Sequence, residues 1–404
     1  MANFEYKALK NDGTEFGGQA EASDKFSLSR DLKKNGYTLL YAKNLDGKIN
    51  FLERLNGLFA KVKIHEKIIF AKNLSAMIKA GLSISRAMDI IDKQTANAKF
   101  KKVIEGLSQE IKKGGNLSQA MAKFSDVFPP VFVSMVKAGE ESGTIAESLK
   151  TVADQLDKSY ALEKKVKGAL IYPAIVVSAM LIVGVLMLIF VVPTLTSTFK
   201  ELKVPLPAST KAIVVVSDFL AEKTLLSLLI IITFISAAVF GSKTKRGKRF
   251  IDSAVLRLPV IGELVRKTNS SRTTRTLSSL LGSGVSIIEA ISITEDVVEN
   301  HHYKEILSKA KTRVEKGEPL SKSFIEAEKF YPILVGEMMA VGEETGRLSE
   351  MLLEIASFYE EEVESATKNM ATIVEPVLMV IVGVVVGFFA ISMISPTYSL
   401  LNNV

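Results

Sequence analysis

The stretch ALIYPAIVVSAMLIVGVLMLIFVV, residues 169–192, decides the fold class because it holds 24 residues without a charged side chain. An α-helix rises 1.5 Å per residue, so this stretch can cross a hydrocarbon core of about 30 Å. PVLMVIVGVVVGFFAISMIS, residues 376–395, is also uncharged, and TLLSLLIIITFISAAVFG, residues 224–241, is a shorter apolar run. We therefore predict transmembrane helices over 169–192, 224–241 and 372–395.

Basic residues near the span ends predict the orientation of the chain, because cytoplasmic flanks carry an excess of Lys and Arg. Those before the first span and after the second are Lys158, Lys164, Lys165, Lys167, Lys243, Lys245, Arg246, Lys248 and Arg249. The connector 193–223 and the tail 396–404 are less basic, so both are expected outside. The N-terminus, MANFEYKALKNDG, has no signal-peptide pattern and is expected to stay in the cytoplasm. The net charge of +7 then reflects topology, and we predict no nucleic-acid partner.

An internal repeat covers most of the chain. AGEESGT at 138–144 returns as VGEETGR at 341–347, an offset of 203 residues, and the same offset aligns Pro173 with Pro376. The duplicated unit covers about 66–196 and 269–399, so it is a soluble domain with its span. Two copies with the same orientation require one additional span between them to return the chain. The run at 224–241, which has no counterpart in the repeat, is predicted to be that span.

Helical periodicity and stop signals predict the soluble parts. Phe70, Leu74 and Met77 fall on one helical face, Gly81 suits a left-handed helix end, and Ser83 suits the start of the next helix. We predict a mainly α integral membrane protein with two homologous cytoplasmic helical bundles of about six helices each and three transmembrane helices. The last helix of each bundle is expected to run from near 145 or 348 into the membrane.

The beginning of the chain has a different pattern. Alternating residues, a turn signal at 11–13, a polar helix and a second apolar stretch predict a small N-terminal ββαβ module, followed by a linker at 44–62 with a short amphipathic helix. The predicted division of the chain is as follows: 1–62 N-terminal module and linker, 63–168 bundle 1, 169–192 span 1, 193–223 external connector, 224–241 span 2, 242–371 bundle 2, 372–395 span 3 and 396–404 external tail.

The repeated acidic segments are the candidate functional site. Catalysis by the paired glutamates is unfavourable, since adjacent residues on a helix point about 100° apart and no His, Cys or Asp completes a site. The main interpretation of each segment is a turn between two helices. Its glycines would adopt unusual backbone angles, and its glutamates would favour the positive N-terminus of the following stalk helix. Such a turn is also accessible to a partner. The candidate contact residues are Gly139, Glu140, Glu141, Gly143, Gly342, Glu343, Glu344 and Gly346.

Metal binding, cofactor binding and enzymatic activity have little support in the sequence. The chain has no cysteine and only His65, His301 and His302, so we predict no metal site and no cofactor. The phosphate-loop, dinucleotide, zinc-protease and hydrolase motifs are absent from the sequence, so no enzymatic activity is predicted. GVVVG at 383–387 places Gly383 and Gly387 where a partner helix could pack.

Several of these segments resemble a known family. The N-terminal FEYKAL, the two acidic segments and KVKGALIYPAIV at 165–176 are similar to the inner-membrane platform proteins of type II secretion and type IV pilus systems. The most specific part is the membrane junction, with Lys165, Tyr172 and Pro173. The second copy keeps Pro376 but has Glu375 in place of the tyrosine.

This resemblance implies a non-enzymatic, oligomeric protein of the bacterial inner membrane. It also implies the partners: a cytoplasmic hexameric assembly ATPase, pilins or pseudopilins whose insertion or extraction it drives, other inner-membrane assembly proteins, and further copies of the chain. A small-solute transporter is the alternative, although its spans would usually carry ionisable groups. A membrane-bound enzyme is the third hypothesis.

The two stalks that lead into the membrane differ in charge. The first has Lys158, Lys164, Lys165 and Lys167, and the second has Glu360, Glu361, Glu362 and Glu364. We hypothesise that these faces pair, within one chain or between subunits, and so orient the two copies.

Overall fold

The structure is a computed structural model that describes residues 2–9, 15–22, 25–34, 36–44, 61–201 and 207–401. The chain divides into two compact units, one formed by Met1–Lys63 with Asp92–Glu105 and the other by Ile64–Ile91 with Gly106–Val404. The turn predicted at 11–13 and nearly all of the linker predicted at 44–62 lie outside the described residues.

Strands β1 (Ala2–Leu9), β2 (Glu15–Ala22) and β3 (Thr38–Asn44) and helix α1 (Lys25–Lys34) belong to the first unit. The strands form an antiparallel sheet in the order β2-β1-β3. The buried side chains of this small core are Ala8, Ala22, Leu28 and Leu32. Leu28 and Leu32 are four residues apart, so they lie on the one face of α1 that packs on the core.

From residue 61 onward the described chain is mainly helical. The helices of the first repeat are α2 (Ile64–Lys79), α3 (Ile84–Gln94), α4 (Ala98–Lys112), α5 (Leu117–Ala122), α6 (Pro130–Ser142) and α7 (Ile145–Leu186). Between the repeats, after a π-helical segment (Met187–Val191), are α8 (Val192–Glu201), α9 (Ala208–Glu222), α10 (Thr224–Lys243) and α11 (Lys245–Arg257). The second repeat has α12 (Ile261–Gly282), α13 (Ile287–Val297), α14 (His301–Glu315), α15 (Leu320–Ile325), α16 (Ile333–Glu344) and α17 (Leu348–Leu401).

The helix ends predicted after α2 and α12 are confirmed. Gly81 and Gly284 have φ angles of 86° and 87°, the left-handed conformation that glycine adopts without a steric cost. Ser83 and Ser286 then begin the next helices, since each hydroxyl accepts a hydrogen bond from the backbone N–H three residues later, at 3.3 and 3.4 Å. Both repeats therefore make the same turn with the same chemistry.

An aromatic contact in the first repeat is replaced by a hydrogen bond in the second. The rings of Phe70 and Phe128 lie 5.6 Å apart and both side chains are buried. At the positions 203 residues later, the hydroxyls of Thr273 and Tyr331 are 3.0 Å apart in the buried core. Burial raises the pKa of Tyr331, so this phenol stays protonated and needs a hydrogen-bond partner. Thr273 supplies that partner.

A surface ion pair is conserved between the repeats with its charges exchanged. Lys123 lies 2.5 Å from Glu110 in the first repeat, and Glu326 lies 2.7 Å from Arg313 at the equivalent positions of the second. Exchange of both charges keeps the attraction between the two positions. This correspondence supports a common fold for the two repeats.

Three helical segments are long and apolar enough to cross a membrane, among the residues that the structure describes: Ile145–Thr198, Leu225–Lys243 and Leu348–Ile394. Helix α7 has 42 residues and α17 has 54, which correspond to about 63 and about 81 Å. Both therefore extend beyond a bilayer core of about 30 Å. Each runs without a break from its repeat into its apolar segment, as predicted.

The described parts of the connector between the first two spans, 193–201 and 207–223, are mainly helical and pack on the span ends. Val192, Val214 and Met393 form a buried apolar cluster that joins α8, α9 and α17. The Thr210 hydroxyl of α9 donates a 2.5 Å hydrogen bond to the carbonyl of Ser392. Apolar side chains of the connector therefore cover the ends of both repeated spans.

Candidate functional site

The acidic segment of the first repeat lies at the end of α6 and contacts another helix. The Glu140 carboxylate accepts hydrogen bonds from the backbone N–H groups of Leu117 and Ser118, at 2.5 and 3.1 Å, and from the Ser118 hydroxyl. These N–H groups open helix α5, where backbone donors lack intrahelical acceptors and the helix dipole is positive. Glu140 thus caps α5 from 23 residues away in the sequence.

The second repeat has the same arrangement. Glu343 accepts hydrogen bonds from the N–H groups of Leu320 and Ser321, at 2.5 and 3.1 Å, and so caps α15. The cap positions before these two helices, Asn116 and Pro319, make no side-chain cap of their own. Each short helix therefore takes its acceptor from the glutamate of the acidic segment.

The two glycines of each segment serve different purposes. Gly143 and Gly346 end their helices with φ angles of 75° and 68°. Gly139 and Gly342 are helical and buried because the following helix approaches them closely. A Cβ atom on Gly139 would lie 2.5 Å from the Cβ of Ser148, and one on Gly342 would lie 2.9 Å from the Cα of Leu348.

These contacts correct two parts of the sequence interpretation. The segments at 138–144 and 341–347 are mainly the last turns of α6 and α16, so only their second glycines adopt an unusual backbone angle. The first glutamates stabilise α5 and α15, whereas the sequence suggested the N-terminus of the following stalk helix. A signal was present in the sequence, since KGGNLS and KGEPLS repeat at the same offset as the acidic segments.

The second glutamate of each segment has a different environment. Glu141 and Glu344 are exposed on the ends of α6 and α16. Lys137 lies 3.8 Å from Glu141, one helical turn earlier, and both side chains are more than half exposed. Such a surface pair contributes little to stability. Because Glu141 and Glu344 are both exposed, they are the carboxylates of the acidic segments that a partner can reach.

The membrane junction lies within continuous helices. Pro173 is inside α7 and Pro376 is inside α17. Tyr172 is 46% exposed, and Lys165, two turns earlier, forms an ion pair with Glu364 of the second stalk. Lys165 therefore links the two stalks directly, as the charge hypothesis expects.

Two other acidic residues of the second stalk, Glu360 and Glu362, have partners on α12 that the sequence did not predict. Arg275 of α12 binds both carboxylate oxygens of Glu360, at 2.8 and 2.9 Å, and Lys267 lies 2.8 Å from Glu362. The first repeat has the counterpart of the first of these pairs, Lys72 and Asp157 at 2.6 Å. The repeat offset relates the two pairs, so an alignment of the two copies could have identified them.

That hydrogen bond from Lys72 to Asp157 also raises the pKa of Lys72, since it stabilises the ammonium form. Together these pairs hold each stalk against the first helix of its own repeat. Pairing of Lys164 with Glu361 stays a prediction. Both side chains are exposed.

The glycines of the GVVVG motif do not pack closely within this chain. A Cβ atom placed on Gly383 or Gly387 would have no neighbouring atom within 4 Å. In the part of the chain that the structure describes, no group of three or more His, Asp or Glu side chains is arranged to hold a metal ion.

Comparison with known proteins identifies the family. The family described as Type II secretion system (T2SS), protein F matches residues 70–193 and again residues 273–396. These two matches have the same offset as the repeat and together cover more than half of the chain. The chain belongs to this family.

Relatives with pilus-assembly and secretion names are similar to this chain over most or all of their length. The chain is 33% identical over 402 residues to the type IV pilus assembly protein PilC of Thermus thermophilus, covering 100% of this chain and 99% of the relative. It is 34% identical over 353 residues to PilC of Pseudomonas aeruginosa, covering 86% and 93%. It is 31% identical over 406 residues to the type II secretion system protein F of Xanthomonas campestris, covering 100% and 99%.

Proposed function

We propose that this member of the protein F family is an inner-membrane platform protein of a type IV pilus or type II secretion machine. In this function it couples a cytoplasmic hexameric assembly ATPase to the insertion or extraction of pilins or pseudopilins, together with other inner-membrane assembly proteins. The observation that carries the proposal is the duplicated family domain. Relatives named for both kinds of machine match over nearly the full chain.

The proposed topology places both repeats in the cytoplasm. Each is a bundle of about six helices, the N-terminus with its ββαβ module is cytoplasmic, and the C-terminus is outside. Three apolar helices and the basic residues that flank the first two spans support this arrangement. Because α7 and α17 are each continuous from bundle to span, a force on a bundle is transmitted directly to the membrane.

The exposed glutamates are the proposed contact points for a cytoplasmic partner. Glu141 and Glu344 occupy equivalent, accessible helix ends, while Glu140 and Glu343 fix those ends by capping neighbouring helices. A Glu141→Lys variant should leave the protein in the membrane at its normal level but reduce assembly. The matched control is Glu315→Lys, which reverses an exposed charge at the end of α14.

The experiment that tests the function is deletion of the gene, scored for surface filaments by electron microscopy and for secreted proteins in the medium. Loss of filaments would assign the protein to a pilus machine. Loss of secreted proteins with filaments intact would assign it to a secretion machine. If neither changed, the platform function would be refuted.

A solute transporter is the second candidate, because the first and third spans line a half-open cavity of about 510 Å³. Its lining is apolar throughout and includes Met180, Met187, Val386, Phe389 and Met393. A hydrophilic solute would find no hydrogen-bond partner there, which favours the platform function. A flux assay in liposomes with the purified protein separates the two functions, since only a transporter moves solute.

A further inference from the structure

The two repeats contact each other through different surfaces. Helices α6 and α7 of the first repeat lie against α12 and α13 of the second. The Ser134 hydroxyl donates a 3.4 Å hydrogen bond to Glu289. Gln155, which is buried, donates to Thr276 at 3.1 Å and accepts from Ser279 at 3.0 Å. The stalk helices α7 and α17 also pack on each other. Apart from that stalk contact, the repeats meet through the α6/α7 surface of the first and the α12/α13 surface of the second. Since both repeats have the same helices, each also carries a counterpart of the other surface.

The first unused counterpart is the α16/α17 surface, formed by Ile333, Leu334, Glu337, Val341 and Phe358. It is apolar and exposed. Ile333 is 66% exposed, Leu334 41% and Val341 47%, and they share one face of α16. In the first repeat Val131, the counterpart of Leu334, is only 6% exposed. Contiguous exposed apolar side chains outside the apolar span segments mark an interaction surface.

The second unused counterpart is the α2/α3 surface, formed by Asn73, Ala76 and Arg86, and its charge is complementary to the first. The repeat offset relates Glu337 to Ser134 and Arg86 to Glu289. Both Glu337 and Arg86 are exposed. If the contact between repeats recurred between two chains, the carboxylate of Glu337 would lie opposite the guanidinium of Arg86.

The apolar positions match in the same way. Phe358 is the counterpart of Gln155 and is 46% exposed, whereas Gln155 is only 5% exposed. The counterparts of Thr276 and Ser279 are Asn73 and Ala76. An amide bonded to two hydroxyls in the contact within the chain would become an aromatic ring against the Ala76 methyl and the Asn73 side chain. The Gln155 amide and the Ser279 hydroxyl are thus replaced together by apolar groups, whereas Thr276 is replaced by another polar residue, Asn73.

We propose that the α16/α17 surface binds the α2/α3 surface of a second copy of this chain, in the geometry of the contact between the repeats. Such a head-to-tail contact is heterologous, and it forms a closed ring when its rotation closes. The inference rests on the repeat and on the exposed surfaces, so it holds or fails independently of the machine in which the protein works.

Cross-linking tests the geometry directly, because the chain has no native cysteine. Full-length Arg86→Cys and Glu337→Cys variants are co-expressed and treated in membranes with a short bismaleimide. The expected result is a covalent dimer from the mixture and none from either variant alone. A Ser134→Cys/Glu289→Cys variant is the matched control, since its cross-link closes within one chain. No dimer from the mixture, with the control cross-linked, would overturn the proposal.

Charge reversal tests the energetics. Arg86→Glu or Glu337→Arg alone places like charges at the contact and should weaken self-association in detergent roughly tenfold, and the two substitutions together should restore it. The control is Glu315→Arg, an exposed charge outside both surfaces. Self-association is measured by light scattering after size-exclusion chromatography. A wild-type protein that stays monomeric, or single variants that associate like the wild type, would refute the contact.

Discussion

Removal of the Glu140 carboxylate should open helix α5 without unfolding the rest of the protein. In Glu140→Ala the N–H groups of Leu117 and Ser118 lose acceptors that lie at 2.5 and 3.1 Å. Hydrogen bonds to a charged group contribute about 1.5–3 kcal/mol each, and loss of a helix N-cap costs about 0.5–2 kcal/mol. Since water can enter the vacated site, we expect a local cost of about 2 kcal/mol.

The assay is amide hydrogen exchange of the full-length protein in detergent, followed by mass spectrometry of peptides that cover Leu117–Ala122. A cost of about 2 kcal/mol corresponds to exchange roughly 30-fold faster in that segment. Glu140→Gln keeps an acceptor oxygen but loses the charge, so its effect should be about half as large in free energy. Glu343→Ala should produce the same change in α15.

Glu141→Ala is the matched control, since it removes an exposed carboxylate from the adjacent position. It should change exchange in α5 less than about twofold, because exposed positions outside such contacts usually change stability by less than about 0.5 kcal/mol. Equal exchange in the Glu140→Ala and Glu141→Ala variants would refute the capping role.

Two further results are expected from single positions. Gly139→Ala should lower the thermal unfolding midpoint, at a cost of about 1–3 kcal/mol, because the new methyl group would lie 2.5 Å from the Cβ of Ser148. The control is Gly168→Ala, where a Cβ meets nothing within 4 Å, and its unfolding midpoint should not fall. The hydrogen bond from Arg313 holds the pKa of Glu326 below its ordinary value. The pair therefore stabilises the fold at pH values above the pKa of glutamate in the unfolded chain, about 4.3. This contribution is lost as the pH falls through the lower pKa of Glu326 in the folded protein. Arg313→Ala should therefore narrow the stability difference between pH 7 and strongly acidic solution, and an unchanged pH profile would contradict the assignment.

Repetition explains why so much of the fold could be predicted. The offset that aligns Gly81 with Gly284 and Pro173 with Pro376 shows that the chain holds two equivalent units, each ending in a span. Local signals such as the left-handed glycine and the N-cap serine require only a few neighbouring residues to act, so they can be read from one segment. The acidic segments were found by the same repeat, but their contacts were not, since Glu140 reaches a helix that begins 23 residues earlier.

The sequence by itself determined the three candidate spans, the duplication and the helix ends at Gly81 and Gly284, because hydrophobic length, helical period and turn chemistry are local properties of the chain. Only the tertiary structure decided which glutamate caps a helix, which stalk carboxylates bind Arg275 and Lys267, and which repeat surfaces are covered. These outcomes depend on which helices lie side by side. Side chains of the same type, such as Glu140 and Glu141, differ in their contacts because one points toward a neighbouring helix end and the other toward solvent.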